Sequence, residues 1–156
     1  MLAIDLLRKH GIETRPSFMP FTPWTTPRDV LEILDFVAAH DLVANVDPVQ
    51  YTIRLLVPEG SLLLERDSLR EHLGPYEPER LTYTWRSADP AADRLQGALT
   101  ALVEQSAAAH EPPGLAFSRI RAAVRDATGE TDAWEPQAIS IGSTEGRPRL
   151  TEPWFC

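Results

Sequence analysis

The chain has 156 residues, 43% of them hydrophobic, which is enough for one domain with a core and too apolar for a wholly disordered protein. A net charge of −8 would repel phosphate, so nucleic acid is excluded as an ordinary partner, and no stretch approaches the roughly eighteen consecutive apolar residues of a membrane helix. The single cysteine, Cys156, excludes an internal disulfide framework, and together these features predict a cytoplasmic protein.

Fourteen prolines punctuate the chain into elements. Leu2 to His10 carries apolar residues at Leu2, Ile4, Leu6 and Leu7 and is followed by Gly11, which reads as an amphipathic helix and its stop. Asp5 inside it argues against a signal peptide. Ile12 to Met19 is short and partly alternating and suits a strand, after which Pro20 to Thr25 is a loop. Thr26, Pro27 and Asp29 then place a hydroxyl at the N-cap, proline at the first helical position and an acid at the third. The helix they start has an apolar face of Val30, Leu31, Ile33, Leu34, Val37 and Ala38 and a wet face of Arg28, Glu32 and Asp35.

Val43 to Val57 reads as extended, broken at Asp47-Pro48. Its second part alternates, with Val49, Tyr51, Ile53, Leu55 and Val57 on one side and Gln50, Thr52, Arg54 and Leu56 on the other. Pro58 to Ser61 ends it. This order of helix, strand, loop, helix, strand and loop is the βα grammar of a parallel sheet or barrel. Beyond residue 65 the pattern predicts a helical turn or two over Asp67 to Leu73 and an irregular, proline-rich stretch over Gly74 to Trp85. A helix then starts at Asp89-Pro90 with Leu95, Leu99, Leu102 and Val103 on one face, and another at Pro113 with Leu115, Phe117, Ile120 and Val124 inward and Gly129 past its end. From Glu130 nothing is periodic, and an extended tail is expected. The chain therefore divides into 1–65, 66–129 and 130–156. Two strands are too few for an open parallel sheet covered on both faces. The first part is either a slice of a larger sheet or a small complete α/β domain with a helical cap, and the pattern leaves both open.

No metal-ligand spacing, nucleophile elbow or glycine-rich phosphate loop occurs. His10, His40, His72 and His110 each stand near a predicted helix C-terminus, where imidazole meets the helix dipole favourably. On the second strand, Gln50, Thr52 and Arg54 face the inside of the sheet, where polar side chains are costly unless they meet one another or a ligand. Arg54 either clamps a carboxylate or phosphate or pairs with a structural acid. Ligands of parallel α/β folds sit beyond the strand C-termini, which adds Phe21, Thr22, Trp24 and Thr25 from the first loop, with Trp24 alternatively plugging the core. Cys156, after Trp154 and Phe155, is either a reactive thiol on a tail or an inert surface cysteine.

Two stretches carry a resemblance. Arg15-Pro-Ser-Phe-Met-Pro-Phe-Thr-Pro-Trp-Thr-Thr26 and Pro48-Val-Gln-Tyr-Thr-Ile-Arg-Leu-Leu-Val-Pro-Glu-Gly-Ser61 resemble the last strands of a radical S-adenosylmethionine (radical SAM) partial barrel. The ending Leu150-Thr-Glu-Pro-Trp-Phe-Cys156 resembles the tail of radical SAM proteins that carry Cys-Sec-Ala-Glu-Pro or Cys-Cys-Ala-Glu-Pro, the CUAEP/CCAEP type. The resemblance implies an α/β chain made of the last βα units of a partial (βα) barrel, then a helical C-terminal region and an extended tail. It also implies iron–sulfur and S-adenosylmethionine dependent radical chemistry on a small-molecule or peptide substrate, with the cofactor doing the hard step. By position, Leu56, Val57 and Pro58 would lie near the adenine, Gln50, Arg54, Phe21, Thr22, Trp24 and Thr25 on the substrate side, and Cys156 in a redox-active tail. The family's CxxxCxxC motif for a 4Fe-4S cluster is absent and the tail stops at its first cysteine, as a UGA codon read as stop would leave it. The expectation is thus a fragment that binds neither cofactor tightly and is inactive alone, whose partner is the remaining N-terminal part of the same enzyme. The other reading is a small intact binding or adaptor module with an aromatic docking tail.

Overall fold

Three helices end in the same way, and these endings set the course of the chain. The computed structural model describes residues 2–129. Helix α1 (Leu2–Lys9) stops where the Ile12 amide reaches back to Leu7 O (2.9 Å) and Gly11 takes a φ of 69°, the left-handed turn that a Schellman cap requires. Helix α2 (Pro27–Ala39) ends likewise through Leu42 N–H on Val37 O (3.0 Å), with Asp41 in the left-handed position. At its other end the Thr26 side chain accepts from Asp29 N–H while Asp29 accepts from the Thr26 amide, the reciprocal box read from the sequence. Arg8 of α1 donates to His40 O and Asp41 O and so ties α1 to the carbonyl end of α2.

Short 3₁₀ turns follow at Val43–Asn45 and Pro48–Tyr51, and a third at Leu62–Glu65 leads into α3 (Asp67–Arg70). Strands β1 (Leu73–Glu77) and β2 (Thr82–Trp85) form an antiparallel hairpin, irregular between Leu73 and Tyr76. Helix α4 (Pro90–Ala108) is capped by Asp89, and its third Schellman ending puts His110 in the left-handed region. Helix α5 (Pro113–Thr128) stops at Gly129, with a φ of 70°. The described residues are mixed α/β, mostly helical, with one small two-stranded sheet among them.

Three expectations are corrected. Ile12 to Met19 is not a strand: Asn45 donates to the Glu13 carboxylate, and the Ser17 hydroxyl and Phe18 amide both donate to Gln50 Oε1 rather than to a neighbouring strand. Val49 to Val57 is not one alternating strand, because Asp47 caps a 3₁₀ turn through Val49 N–H and winds Pro48–Tyr51 out of the extended form. Gly74 to Trp85 is not irregular but holds the hairpin. Leu115 also departs from its expected place: it is exposed, standing roughly 200° around the helix from Phe117.

What remains of the parallel pattern is a single bridge, Phe21 beside Arg54, in which Phe21 N–H meets Ile53 O (3.2 Å) and Leu55 N–H meets Phe21 O (2.8 Å). On the other side Tyr83 N–H bonds Val57 O (2.8 Å), so the bridge and the hairpin are joined. One hydrophobic cluster lies beneath, drawn from both sides of residue 65: Val30, Leu34 and Val37 of α2, Leu42, Tyr51 and Val57, Leu95 and Leu99 of α4, and Phe117, Ile120 and Val124 of α5. Each of the larger buried side chains contributes about 2 kcal/mol. The Arg121–Asp35 ion pair joins α5 to α2 at the edge of this core. Among the described residues no helix is long and apolar enough to cross a membrane.

Candidate functional site

The bridge at Phe21 sets the backbone of Arg54, and the hairpin and α4 take its side chain. Nη1 donates to Asp93 Oδ1 (2.9 Å), Nη2 donates to Trp85 O (3.1 Å), and the guanidinium carbon lies 3.9 Å above the centre of the Trp85 ring. Trp85 is itself held, its indole N–H donating to Leu55 O (2.8 Å). The second oxygen of Asp93 accepts from Ser87 N–H (2.9 Å), and the Ser87 hydroxyl reaches Pro23 O and Thr25 O. Ala88 N–H on Pro23 O (2.8 Å) completes the tie between the loop after Phe21 and the start of α4. Of the two readings of Arg54, pairing with a structural acid is thus realised in the fold, and the acid is Asp93.

A groove of about 560 Å³ opens above this arrangement, lined among others by Arg54, Leu56, Tyr83, Trp85 and Gln96. Gln96, one turn beyond Asp93 on α4, donates through Nε2 to Thr52 O (3.1 Å) and to Thr100 Oγ1 (3.0 Å). Leu56 is 66% exposed at the groove's rim. A second groove of about 700 Å³ lies past the hairpin beside His72, Thr84 and Arg86, but no charged side chain there is fixed as Arg54 is.

The other candidate residues do not converge with Arg54. Gln50 sits on a 3₁₀ turn and is occupied by Ser17 and Phe18. The hydroxyls of Thr22 and Thr25 lie 2.9 Å apart and bond each other, and Phe21 is buried in the core. Trp24 does not plug the core: its indole donates to Ser68 O (3.2 Å) and the residue is 43% exposed. Val57 is buried with its amide on Thr82 Oγ1 (2.8 Å), while Pro58 is exposed. The expectation for Cys156 falls outside the described residues. Reading the residues in order missed Asp93, Trp85 and Gln96, although Asp93 and Gln96 share the polar face of a helix read only for its apolar one.

No family model matches the chain, and no curated protein or solved structure is significantly similar to it.

The Arg54–Asp93 pair is stacked and hydrogen-bonded, which provides donors and a flat charged surface but no nucleophile beside a base. No cysteine lies among residues 2–129, and no group of three or more His, Cys, Asp or Glu side chains there could hold a metal ion. The described residues do not fit an iron–sulfur cluster. Leu56, Val57 and Pro58 present one apolar side chain and a proline, which could lie against a flat ring, while the Val57 amide and carbonyl are both taken.

Proposed function

We propose that this chain forms the closing part of a radical SAM partial barrel with its helical C-terminal region, and that the cluster and S-adenosylmethionine are held by residues outside 2–129. The observation that supports this reading is the isolated parallel bridge between Phe21 and Arg54, with helix α2 in the chain between them, in the two segments that carry the resemblance. On this reading Arg54 and the loop after Phe21 stand at the strand ends, where parallel α/β folds bind ligands. The coding DNA on either side of the chain, and the product of the longer frame, provide the test. An in-frame CxxxCxxC motif upstream is expected, and the longer product, given iron and sulfide, should form a four-iron cluster and release 5′-deoxyadenosine from S-adenosylmethionine. A stoichiometric cluster on the 156-residue chain alone, or no such motif in the flanking frame, overturns the proposal.

A second reading, a small α/β binding module, is favoured by the edges of the sheet-like layer. Pro20 has no N–H, the Thr22 amide is taken by Thr25 Oγ1 (3.0 Å), and Pro75 stands in the middle of edge strand β1. Prolines and occupied amides of this kind discourage strand addition. A clean ribosome-binding site before Met1 with no cluster motif upstream favours this alternative.

A further inference from the structure

We propose that residues 2–19 form a strap that lifts from the body of the molecule as one piece, about a hinge at Pro20, while the core stays folded. The proposal stands apart from the radical SAM reading. It starts from a regularity in the contacts. Arg8 donates to His40 O and Asp41 O, Asn45 donates to the Glu13 carboxylate, and Ser17 and Phe18 both donate to Gln50 Oε1. Each of these pairs is 32 or 33 positions apart in the chain, and the bridge from Phe21 to Arg54 keeps the same spacing. A constant offset means that the two stretches advance together, so 8–21 lies parallel along 40–54.

The two ends of that alignment are held differently. At Phe21, which is buried, two backbone hydrogen bonds fix the chain, and Pro20 before it is buried as well. None of residues 3–19 is buried, and residues 13–20 make no backbone–backbone hydrogen bond among the described residues. Ile4 and Phe18 touch the core from its edge, Phe18 standing edge-on to Phe36 with ring centroids 6.5 Å apart. Side-chain ties without a buried anchor put a segment at the low-stability end of a structure. Closing the strap also has a cost. It shuts the Thr14 hydroxyl away from solvent with no hydrogen-bond partner among the described residues, and lifting returns water to that oxygen. This loss offsets about one of the exposed hydrogen bonds that hold the strap down, which leaves it closed but poised to open. Gln50, the last tie, lies in the 3₁₀ turn Pro48–Tyr51 that leads into Arg54, so lifting frees a side chain close in sequence to the candidate site.

Native-state hydrogen exchange on the complete 156-residue chain tests this at two amides, Ile12, which bonds Leu7 O, and Phe18, which bonds Gln50 Oε1. In the unaltered chain the two should share one opening equilibrium. Low concentrations of urea should hardly change it, whereas exchange of Leu95 to Val103 in α4 should speed up steeply, because only global unfolding exposes much surface. Gln50→Ala removes the last tie and should speed exchange at the distant Ile12 about fivefold. Thr14→Val keeps the side chain's shape, removes the orphaned hydroxyl and should slow exchange at both amides about fivefold. Asn45→Ala, which breaks the tie to Glu13, takes the place of Gln50→Ala if that variant fails to fold. An Ile12 amide indifferent to either kind of change, unequal openings of Ile12 and Phe18, or a urea dependence equal to that of α4 overturns the proposal.

Discussion

Tyr51 is 1% exposed, packs edge-on against Phe117 with ring centroids 5.9 Å apart, and has no hydrogen-bond partner for its hydroxyl among the described residues. Burial pushes the phenol well above its ordinary value of 10.0, because phenolate would have to form in the core without solvent. The unfolded chain ionises near the ordinary value and the folded chain does not. The stability is therefore fully present below pH 10.0 and falls as pH rises from there towards the folded pKa. Tyr51→Phe removes both the orphaned hydroxyl and this alkaline loss. Urea melts near neutral pH should show the variant equal to the parent or up to about 1 kcal/mol more stable, with a shallower decline in alkali. A loss of more than about 1 kcal/mol would mean that the hydroxyl has a partner in solution.

At the scale of elements, the hairpin of β1 and β2 depends on a single close approach. A Cβ at Gly74 would stand 2.3 Å from Thr84 Oγ1, and that oxygen is pinned by its bond to Pro75 O (3.0 Å) and cannot swing aside freely. Gly74→Ala should cost about 1–3 kcal/mol in thermal or chemical melts. Most of that should return in Gly74→Ala/Thr84→Ala, since only the hydroxyl clashes; simple additivity of the two changes would refute the contact. The same hairpin shows why part of the fold was hidden in the sequence. Gly74, Pro75 and Pro78 are the residues that usually break structure, and Thr82 to Trp85 alternates too weakly to outweigh them. The opposite error occurred at Val49 to Val57, where a clean period of two lost to the local cap that Asp47 places on Val49. Helices α2, α4 and α5 were legible because their signals are local, in Thr26-Pro27, Asp89-Pro90 and Gly129. The groove was half legible. Arg54 was singled out by its face, but Asp93, Trp85 and Gln96 come to it only through tertiary packing.

At the scale of the whole molecule, α2, α4 and α5 carry the core, and the layer that presents Arg54 rests on them. The two kinds of structure should differ in how they open. Amides inside α4 are held by a ladder of local bonds over a buried face, whereas the parallel pairing consists of two bonds between segments 33 positions apart, from Phe21 to Arg54. Measured by hydrogen–deuterium exchange, the amides of Phe21 and Leu55 should appear as two isolated protected positions. They should share one opening free energy, lower than that of the Leu95 to Val103 stretch. Unequal protection of the pair would show that the bridge does not open as a unit. If they are equal, that one small opening reports how often the Phe21 and Arg54 segments part while the loop beyond Phe21 stays tied to the start of α4 through Ser87 and Ala88, so the exchange of two amides becomes a gauge of the bridge by itself.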